Sequence, residues 1–330
     1  MEEPLGKPKI GIFTTGGTIL SQMDKKSGVV NPALTGASLL NRIREVEEKF
    51  DIIHVEFSNM PGSDLTLADG LALSNGIKRM QREEVVDGIV VLQGTDTMDE
   101  IPYFVGMTTD TDKPIVFTGA MKSNHDSYSD AAGNLLGAAC VAVSASSKNR
   151  GVLVYFNETI FSAQDVYKEH ASRIDAFSSQ FGPIGSVINQ KVHFFRESIN
   201  EKVYSIAGIE EYVPLLKVST GMDRRMIDDC VDGGAKGIVI EGYGSGNVPH
   251  FLVPAIERAI SRGVVVIVAT RCVFGESYAG YGYIGGGAQL KEAGVILSGT
   301  LSGIKSRIKL AVMLAAGESK DDIARAYEYH

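Results

Sequence analysis

Short apolar runs alternate with segments of helical periodicity along almost the whole of this 330-residue chain. Residues 88–92 (GIVVL), 114–117 (PIVF) and 264–269 (VVVIVA) contain no polar position at which a strand would face water. Such uninterrupted strands are typical of parallel sheets, which helices cover on both faces. Helical spacing of apolar residues lies between them, as in residues 67–82. The pattern therefore predicts an α/β fold built on parallel sheets.

The strand–helix alternation occurs twice. Strands are predicted at residues 9–14, 52–57, 88–92, 114–117 and 151–156, and again at 237–241, 264–269 and 294–297. Between them, residues 165–208 show no clear period, so we expect loops to dominate there. Polar residues cluster from about position 197. We therefore expect a first domain at 1–197, a linker at 198–213 and a second domain at 214–330.

Charge and composition exclude several classes of protein. The 32 basic and 40 acidic residues give a net charge of −8 without a basic run, which argues against a nucleic-acid partner. Apolar runs are far shorter than the roughly 18 residues that span a bilayer, and no signal peptide is visible. Three scattered cysteines suit the cytoplasm, and the six histidines lack close ligand spacing, so we expect no metal.

The polar chemistry lies where strands end. Ligands of parallel α/β sheets bind beyond the carboxyl ends of the strands. Glycine combines with hydroxyl or amide groups after four predicted strands, at residues 14–18 (TTGGT), 93–97 (QGTDT), 118–122 (TGAMK) and 242–247 (GYGSGN). Glycine lets backbone N–H groups approach a ligand without a Cβ in the way. These strand ends predict a polar pocket above an apolar sheet.

Each motif alone has a plain structural interpretation. TTGGT suits a tight turn or a phosphate cradle, and GTDT suits a helix cap. Neither GxGxxG nor GxxxxGK[ST] occurs, so a nucleotide site has weak support.

Together and in order, the motifs resemble those of the bacterial-type L-asparaginase/glutaminase family. They are TTGGTI at 14–19, VLQGTDTMDE at 91–100, FTGAMKS at 117–123, QDVYK at 164–168, GSGN at 244–247 and SGTLSGIKSRIKL at 298–310. The resemblance implies a large flavodoxin-like N-terminal domain with a parallel sheet and a smaller α/β C-terminal domain. It also implies a homotetramer, built as a dimer of dimers with active sites between subunits, and no cofactor.

The resemblance assigns four catalytic residues. Thr18 matches the nucleophile, and Thr95, Asp96 and Lys168 match a relay that activates Thr18 or the attacking water. A threonine hydroxyl is a weak nucleophile at neutral pH and needs such a partner. To accept a proton, Lys168 must be neutral; the plain alternative for it is a solvated surface lysine.

Substrate contacts follow from the same resemblance. Thr95 and Asp96 face the substrate, with Asp96 holding its α-ammonium group, and Ser63 matches the loop that holds the α-carboxylate. Gly17 and Ala120 are positioned for backbone contact with the amide oxygen. Asn247 matches an asparagine that approaches from the partner subunit; the plain alternative for it is a turn residue after Gly246.

Two departures from the family pattern fall on substrate recognition. The lid segment, residues 21–34, lacks the family's usual tyrosine. Residues 283–289 (YIGGGAQ) lack the glutamate that holds the substrate amino group in the best-known members. We therefore expect hydrolysis of L-asparagine to L-aspartate and ammonia, with a glutaminase side activity and relaxed or altered selectivity.

Three other functions remain open at this point. A racemase of acidic amino acids needs two opposed cysteines; Cys272 follows a strand, but Cys140 and Cys230 fall on predicted helices. A small-molecule sensor would use the same pocket without turnover. The amidase component of a tRNA-dependent amidotransferase shares these motifs, but we expect it to carry an added domain, for which the first nine residues leave no room.

Overall fold

The computed structural model describes residues 6–17, 44–123, 126–198, 201–209 and 212–328, and the backbone of 21–23 and 30–32. The chain divides into two compact units, Met1–Val203 and Tyr204–His330. The division falls within the segment 198–213 that the sequence sets aside as a linker.

The first unit contains a large sheet with helices on both faces. Its strands are β1 (Lys9–Gly16), β2 (Ser21–Met23), β3 (Val30–Pro32), β4 (Asp51–Met60), β5 (Gly88–Leu92), β6 (Ile115–Thr118), β7 (Val152–Phe156), β8 (Thr159–Ser162), β9 (Val166–Lys168), β10 (Phe177–Ser179), β11 (Gly185–Ile188) and β12 (Lys191–Phe194). Its described helices are α1 (Arg44–Lys49), α2 (Leu67–Glu83), α3 (Ile101–Thr108) and α4 (Ala131–Val143).

The order of the large sheet is β12-β11-β8-β7-β6-β5-β1-β4. Strands β4, β1, β5, β6 and β7 are parallel, and β8, β11 and β12 extend the sheet with antiparallel pairs. Numbered along the chain, the parallel strands run 2-1-3-4-5, which is the flavodoxin-like order. The order reverses between β1 and β5, so a ligand is expected at the carboxyl ends of these two strands.

Burial explains why these segments form strands and helices. Every residue of β5, β6 and β7 is buried, because helices cover both faces of the sheet. Helix α2 begins at a capping box in which Thr66 and Asp69 exchange hydrogen bonds. Its apolar side buries Leu73 and Ile77 against the sheet. The prediction of a large parallel-sheet domain is thus confirmed.

Loops make up most of residues 165–208, as expected, but four short strands between positions 166 and 194 were not predicted. Strands β9 and β10 form a separate antiparallel pair, and β11 and β12 complete one edge of the large sheet. Each of these strands has only three or four residues. Such a length is too short to display a period, so pairing rather than patterning defines these strands.

The second unit repeats the architecture on a smaller scale. Its four parallel strands are β13 (Leu215–Lys217), β14 (Gly237–Gly242), β15 (Val265–Thr270) and β16 (Ile296–Leu297), in that order. Its helices are α5 (Arg225–Asp232), α6 (Val253–Ser261), α7 (Gly287–Glu292), α8 (Gly303–Ala315) and α9 (Lys320–Tyr327). This confirms the predicted smaller α/β domain. Across the described ranges, we find no helix with the length and apolar character needed to cross a membrane.

Candidate active site

Three loops of the first unit pack backbone to backbone at the carboxyl ends of β1, β4 and β5. Gly17 has a φ of +90°, and a Cβ placed on it would lie 2.3 Å from the Cα of Gly94. A Cβ on Gly62 would lie 3.2 Å from the same Cα. Glycine at these positions lets the loops meet without an intervening side chain. The loops that follow three adjacent strands therefore form one continuous surface.

Lys168, at the end of β9, reaches the turn that follows β5. Its Nζ donates hydrogen bonds to Thr95 Oγ1 at 2.9 Å and to Asp96 Oδ1 at 2.7 Å, across 73 and 72 positions of sequence. The lysine side chain is 15% exposed and the aspartate side chain 66% exposed. The backbone N–H of Lys168 also donates to Asp99 Oδ2 at 3.4 Å. Lys168 is therefore a partly buried amine in direct contact with a hydroxyl, not a solvated surface lysine.

This arrangement determines what the hydroxyl can do. A threonine hydroxyl has one hydrogen to donate and two lone pairs that accept. Because Lys168 donates to the oxygen of Thr95, the hydroxyl hydrogen of Thr95 is directed toward another acceptor. In the described part of the chain, Asp96 Oδ2 has no hydrogen-bond partner, while Oδ1 holds the lysine. The exposed carboxylate is thus suited to hold a cationic group of a ligand.

Gln93 ties this turn to the neighbouring loop, a role that sequence reasoning missed. Its side chain is fully buried, and its Nε2 donates to the carbonyl oxygen of Thr97 at 3.1 Å and to Thr97 Oγ1 at 3.3 Å. Thr97 Oγ1 in turn donates to the carbonyl of Gly62 at 3.0 Å. The sequence placed Gln93 within the strand-end motif, but its partners are set by three-dimensional contacts.

Ala120 lies in the loop after β6, where it is almost fully buried. The preceding Gly119 approaches the carbonyl of Gln93, since a Cβ on it would lie 2.3 Å from that oxygen. The carboxylate of Asp130 accepts the two backbone N–H groups that follow Ala120, at 3.0 and 2.9 Å. Asn134 donates from Nδ2 to the carbonyl of Gly119 at 3.0 Å. This loop is therefore fixed from both sides.

Ser63 and Asn247 occupy different units. Ser63 is an exposed residue of the 3-10 turn Gly62–Asp64, and its hydroxyl donates to Asp64 Oδ1 at 3.3 Å. Asn247 belongs to the second unit, where its Oδ1 accepts the backbone N–H of Gly287 at the start of α7, at 3.3 Å. The structure thus brings the loops of Gly17 and Ser63 beside Thr95, whereas the expected contact of Asn247 with a substrate stays a prediction.

Thr18 lies outside the described residues, as does most of the expected lid. Within that lid, β2 and β3 form an antiparallel pair with Ser21 opposite Pro32. Among the residues that the structure describes, no three His, Cys, Asp or Glu side chains converge as metal ligands. The cysteines are free; Cys140 lies in α4, Cys230 in α5 and Cys272 after β15.

Known proteins share this architecture along the whole chain. The solved structure of a probable cytoplasmic L-asparaginase from Campylobacter jejuni has a TM-score of 0.90 and 28% identity, covering 98% of this chain and 99% of that one. L-asparaginase of Bacillus licheniformis is 33% identical over 93% of this chain and 96% of its own length. A glutamyl-tRNA(Gln) amidotransferase subunit of Pyrococcus abyssi is 32% identical over 97% of this chain and 75% of its own length.

Fold and site together define an α/β amidohydrolase. Family profiles match both units: the one described as asparaginase, N-terminal, matches residues 9–200, and the glutaminase/asparaginase C-terminal domain matches 212–327. The chain belongs to the asparaginase family, and the resemblance drawn from its motifs is confirmed.

Proposed function

We propose that this chain hydrolyses the side-chain amide of L-asparagine to L-aspartate and ammonia through a covalent intermediate on Thr18. The observation that carries the proposal is the position of Lys168 Nζ, between Thr95 Oγ1 and Asp96 Oδ1. A buried amine in contact with a hydroxyl is the means by which a weak alcohol nucleophile gains a proton acceptor.

In the proposed reaction, Thr18 Oγ attacks the amide carbon and forms a tetrahedral intermediate. Its proton passes to Thr95 as Thr95 gives its own to neutral Lys168, a transfer in which the hydrogen bond between these two residues is reversed so that Thr95 donates. Protonated Lys168 then returns a proton through Thr95 to the amide nitrogen as the C–N bond breaks and ammonia leaves. Water, activated by the same Thr95–Lys168 pair, then attacks the Thr18 ester. Cleavage of that ester releases aspartate and restores the Thr18 hydroxyl. Backbone N–H groups near Gly17 and Ala120 stabilise the oxyanion.

Substrate recognition is divided between charged and neutral contacts. Asp96 holds the α-ammonium group through its free oxygen, the Ser63 loop holds the α-carboxylate, and Asn247 contributes from a partner subunit. The lid lacks its tyrosine and residues 283–289 lack a carboxylate. A lost charged contact costs about 2–5 kcal/mol in such sites, enough to change which amide is preferred. We therefore propose relaxed or altered selectivity, with L-glutamine as a second substrate.

Assembly into a dimer of dimers is part of the proposal. Between positions 273 and 284, six large apolar side chains are 47–64% exposed: Val273, Phe274, Tyr278, Tyr281, Tyr283 and Ile284. An exposed patch of this kind marks a protein interface. We propose a cytoplasmic location, as the Campylobacter jejuni neighbour is described, and no cofactor. Light scattering should give the mass of four 35.4-kDa chains; a monomer would contradict the assembly.

The experiment that tests the activity measures ammonia release from L-asparagine, D-asparagine, L-glutamine and an N-blocked asparagine. Thr18→Ala should abolish turnover, and Thr18→Ser, which keeps a hydroxyl, should retain part of it. Near-full activity of Thr18→Ala would overturn the nucleophile. A strict preference for L-asparagine with a micromolar KM would overturn the altered selectivity.

A second candidate is the amidase part of a tRNA-dependent amidotransferase. It is favoured by the glutamyl-tRNA(Gln) amidotransferase proteins among the relatives, four of which are 30–34% identical to this chain. Turnover of free L-asparagine by the purified chain alone supports the hydrolase. Turnover that requires a second protein and charged tRNA supports the amidotransferase.

A further inference from the structure

A cavity of about 250 Å³ lies at the amino ends of β6 and β7. Its walls include Tyr103, Met107, Thr109, Asp110, Ile115 and Val152. Thr95 follows the carboxyl end of β5, which is parallel to β6 and β7. The cavity therefore lies at the opposite ends of these strands from the candidate active site. It therefore belongs to no part of the site described above.

One wall of the cavity is the carboxyl end of α3. No N–H group in the described part of the chain donates to the carbonyls of Gly106 and Met107, and both residues line the cavity. The next carbonyl, that of Thr108, accepts Lys78 Nζ at 3.2 Å. Unsatisfied carbonyls make the end of a helix a partial negative charge that attracts hydrogen-bond donors and cations.

One side chain beyond the helix strengthens this preference. The exposed carboxylate of Asp110 forms no ion pair within the described ranges. Thr109 also lines the cavity, but its hydroxyl oxygen is buried beyond the reach of a ligand. The wall thus offers carbonyl acceptors and one carboxylate.

The cationic lining residue is already neutralised. Arg150 Nη1 lies 2.9 Å from Glu197 Oε2, and its Nε donates to the carbonyl oxygen of Ser146 at 2.7 Å. The Cζ atom of the same guanidinium group lies 4.1 Å from the ring centre of Phe194. Glu201, which also lines the cavity, accepts a hydrogen bond from the hydroxyl of Tyr103 at 2.7 Å. An anionic ligand would therefore meet carboxylates without an available cation.

We propose that this cavity binds a small primary ammonium compound with a compact apolar body. An ammonium group can donate to the carboxylate of Asp110 and to the carbonyl of Gly106 at the end of α3. The accessible apolar lining, Val203 and the edge of Val152, provides contact for the body. A cavity of this size holds a molecule somewhat larger than benzene, which fits a cavity of about 150 Å³.

Two segments that line the cavity continue along the chain to Lys168 or to a residue that contacts it. Ser162 and Gln164 line the cavity, and Lys168 is four residues beyond Gln164. Helix α3 begins just after Asp99, which accepts the backbone N–H of Lys168 at 3.4 Å. Ligand binding therefore restrains two segments that position the lysine and changes the turnover of the amide. This second part of the inference rests on the proposed function.

The binding test titrates the purified chain with n-butylammonium chloride in a calorimeter, with butan-1-ol as the neutral control. We expect saturable binding with one ammonium per chain, and no binding of the alcohol at the same concentrations. Asp110→Asn should weaken binding by up to about fivefold, the loss of one exposed ion pair. Asp112→Asn removes a nearby exposed carboxylate outside the cavity lining and should leave binding unchanged.

Asp96→Asn separates this site from the candidate active site, because it removes the carboxylate proposed for the substrate ammonium. Binding that survives Asp96→Asn and falls with Asp110→Asn supports the cavity. Absent or non-saturable binding, equal binding of the alcohol, or loss with Asp96→Asn alone overturns it.

The kinetic test measures kcat for L-asparagine at saturating n-butylammonium. A change in kcat that disappears in Asp110→Asn supports the coupling, and an unchanged kcat overturns it. A wild-type chain without amide hydrolysis would overturn the proposed function instead, and the calorimetric result would still decide the binding site.

Discussion

Each unit places a lysine–carboxylate pair at the carboxyl ends of its strands, but the burial is reversed. In the first unit Lys168 Nζ lies 2.7 Å from Asp96 Oδ1; the lysine side chain is 15% exposed and the aspartate side chain 66% exposed. In the second unit Lys217 Nζ lies 3.3 Å from Glu241 Oε2; here the lysine side chain is 65% exposed and the glutamate side chain 15% exposed. The lysine is therefore the buried partner in the first pair, and the carboxylate is the buried partner in the second.

The difference suits the first pair to a reaction and the second pair to stabilising the fold. Lys168 Nζ donates to the Thr95 hydroxyl, the contact on which the proposed reaction depends, while Asp96 presents an oxygen to solvent. Glu241 instead packs against the first residue of α8, where a Cβ on Gly303 would lie 2.5 Å from Glu241 Oε1. A carboxylate at the start of a helix stabilises the helix dipole. The same two residue types thus serve a candidate reaction in one unit and a helix start in the other.

Replacing each lysine by methionine tests this contrast most strongly. Lys168→Met should lower kcat for ammonia release by about 10²–10⁴-fold, the usual contribution of a general acid–base group. Lys217→Met should leave kcat within about twofold, because an exposed ion pair contributes little. Comparable losses in both variants, or a Lys168→Met enzyme with more than a tenth of wild-type activity, would contradict the division of roles.

Adding a methyl group beside Glu241 tests the structural side of the comparison. Gly303→Ala should displace that carboxylate and lower the free energy of unfolding by about 1–3 kcal/mol, as overpacking does. Chemical denaturation measures the loss. Gly133→Ala in α4 is the control, since no atom lies within 4 Å of the added Cβ; it should stabilise by about 0.5–1 kcal/mol. Equal stabilities of the two variants would show that Glu241 is not confined.

The loops that follow the strands are held together differently in the two units. After β14, Tyr243 and Asn247 exchange backbone hydrogen bonds at 2.7 and 2.8 Å. After β5, a side chain provides the link, through Gln93. Gln93→Leu should therefore lower kcat about tenfold by releasing the Thr95–Thr97 turn, with about 1–2 kcal/mol of stability lost.

Gln81→Leu is the matched control for that prediction. The buried Nε2 of Gln81 has no hydrogen-bond partner among the described residues, so its removal breaks no such link. Kinetics at saturating substrate should show wild-type kcat for Gln81→Leu. An unchanged kcat in Gln93→Leu would show that the hydrogen bonds of Gln93 do not hold the Thr95–Thr97 turn in place.

The smallest expected effect is a pH dependence in the first unit. Burial lowers the pKa of His54 below its ordinary value of 6.5, with nearby Glu56 acting in the opposite direction. The folded chain therefore binds the proton less tightly than the unfolded chain. The stability that the folded chain keeps with His54 neutral is fully present above pH 6.5, and it is lost as the pH falls toward the lowered pKa of this residue. Urea unfolding between about pH 8 and pH 5 should show less acid destabilisation in His54→Gln than in the wild type.

Much of the fold could be predicted because burial on both faces leaves a direct trace in sequence. The apolar runs of β5, β6 and β15 correspond to strands in which every residue is buried. Strands β9 and β13 left no such trace, since each has three residues and takes its conformation from its neighbour.

The site was predictable only in part. Thr95 and Lys168 are 73 positions apart, so their proximity came from the resemblance to a family and not from any local pattern. Gln93 is part of a recognised motif, but the sequence alone does not show which groups the side-chain amide of a buried glutamine will bond. The catalytic and substrate-binding roles stay predictions, and Thr18 lies outside the described residues.

The contact of Gly17, Gly62 and Gly94 limits which substitutions the first unit tolerates. Because these three main chains pack so closely, a Cβ on Gly17 or Gly62 would meet the backbone of Gly94. Any larger residue there would have to push the loops apart. Directed evolution of this chain should therefore leave the three glycines unchanged and collect its changes at positions away from their contact.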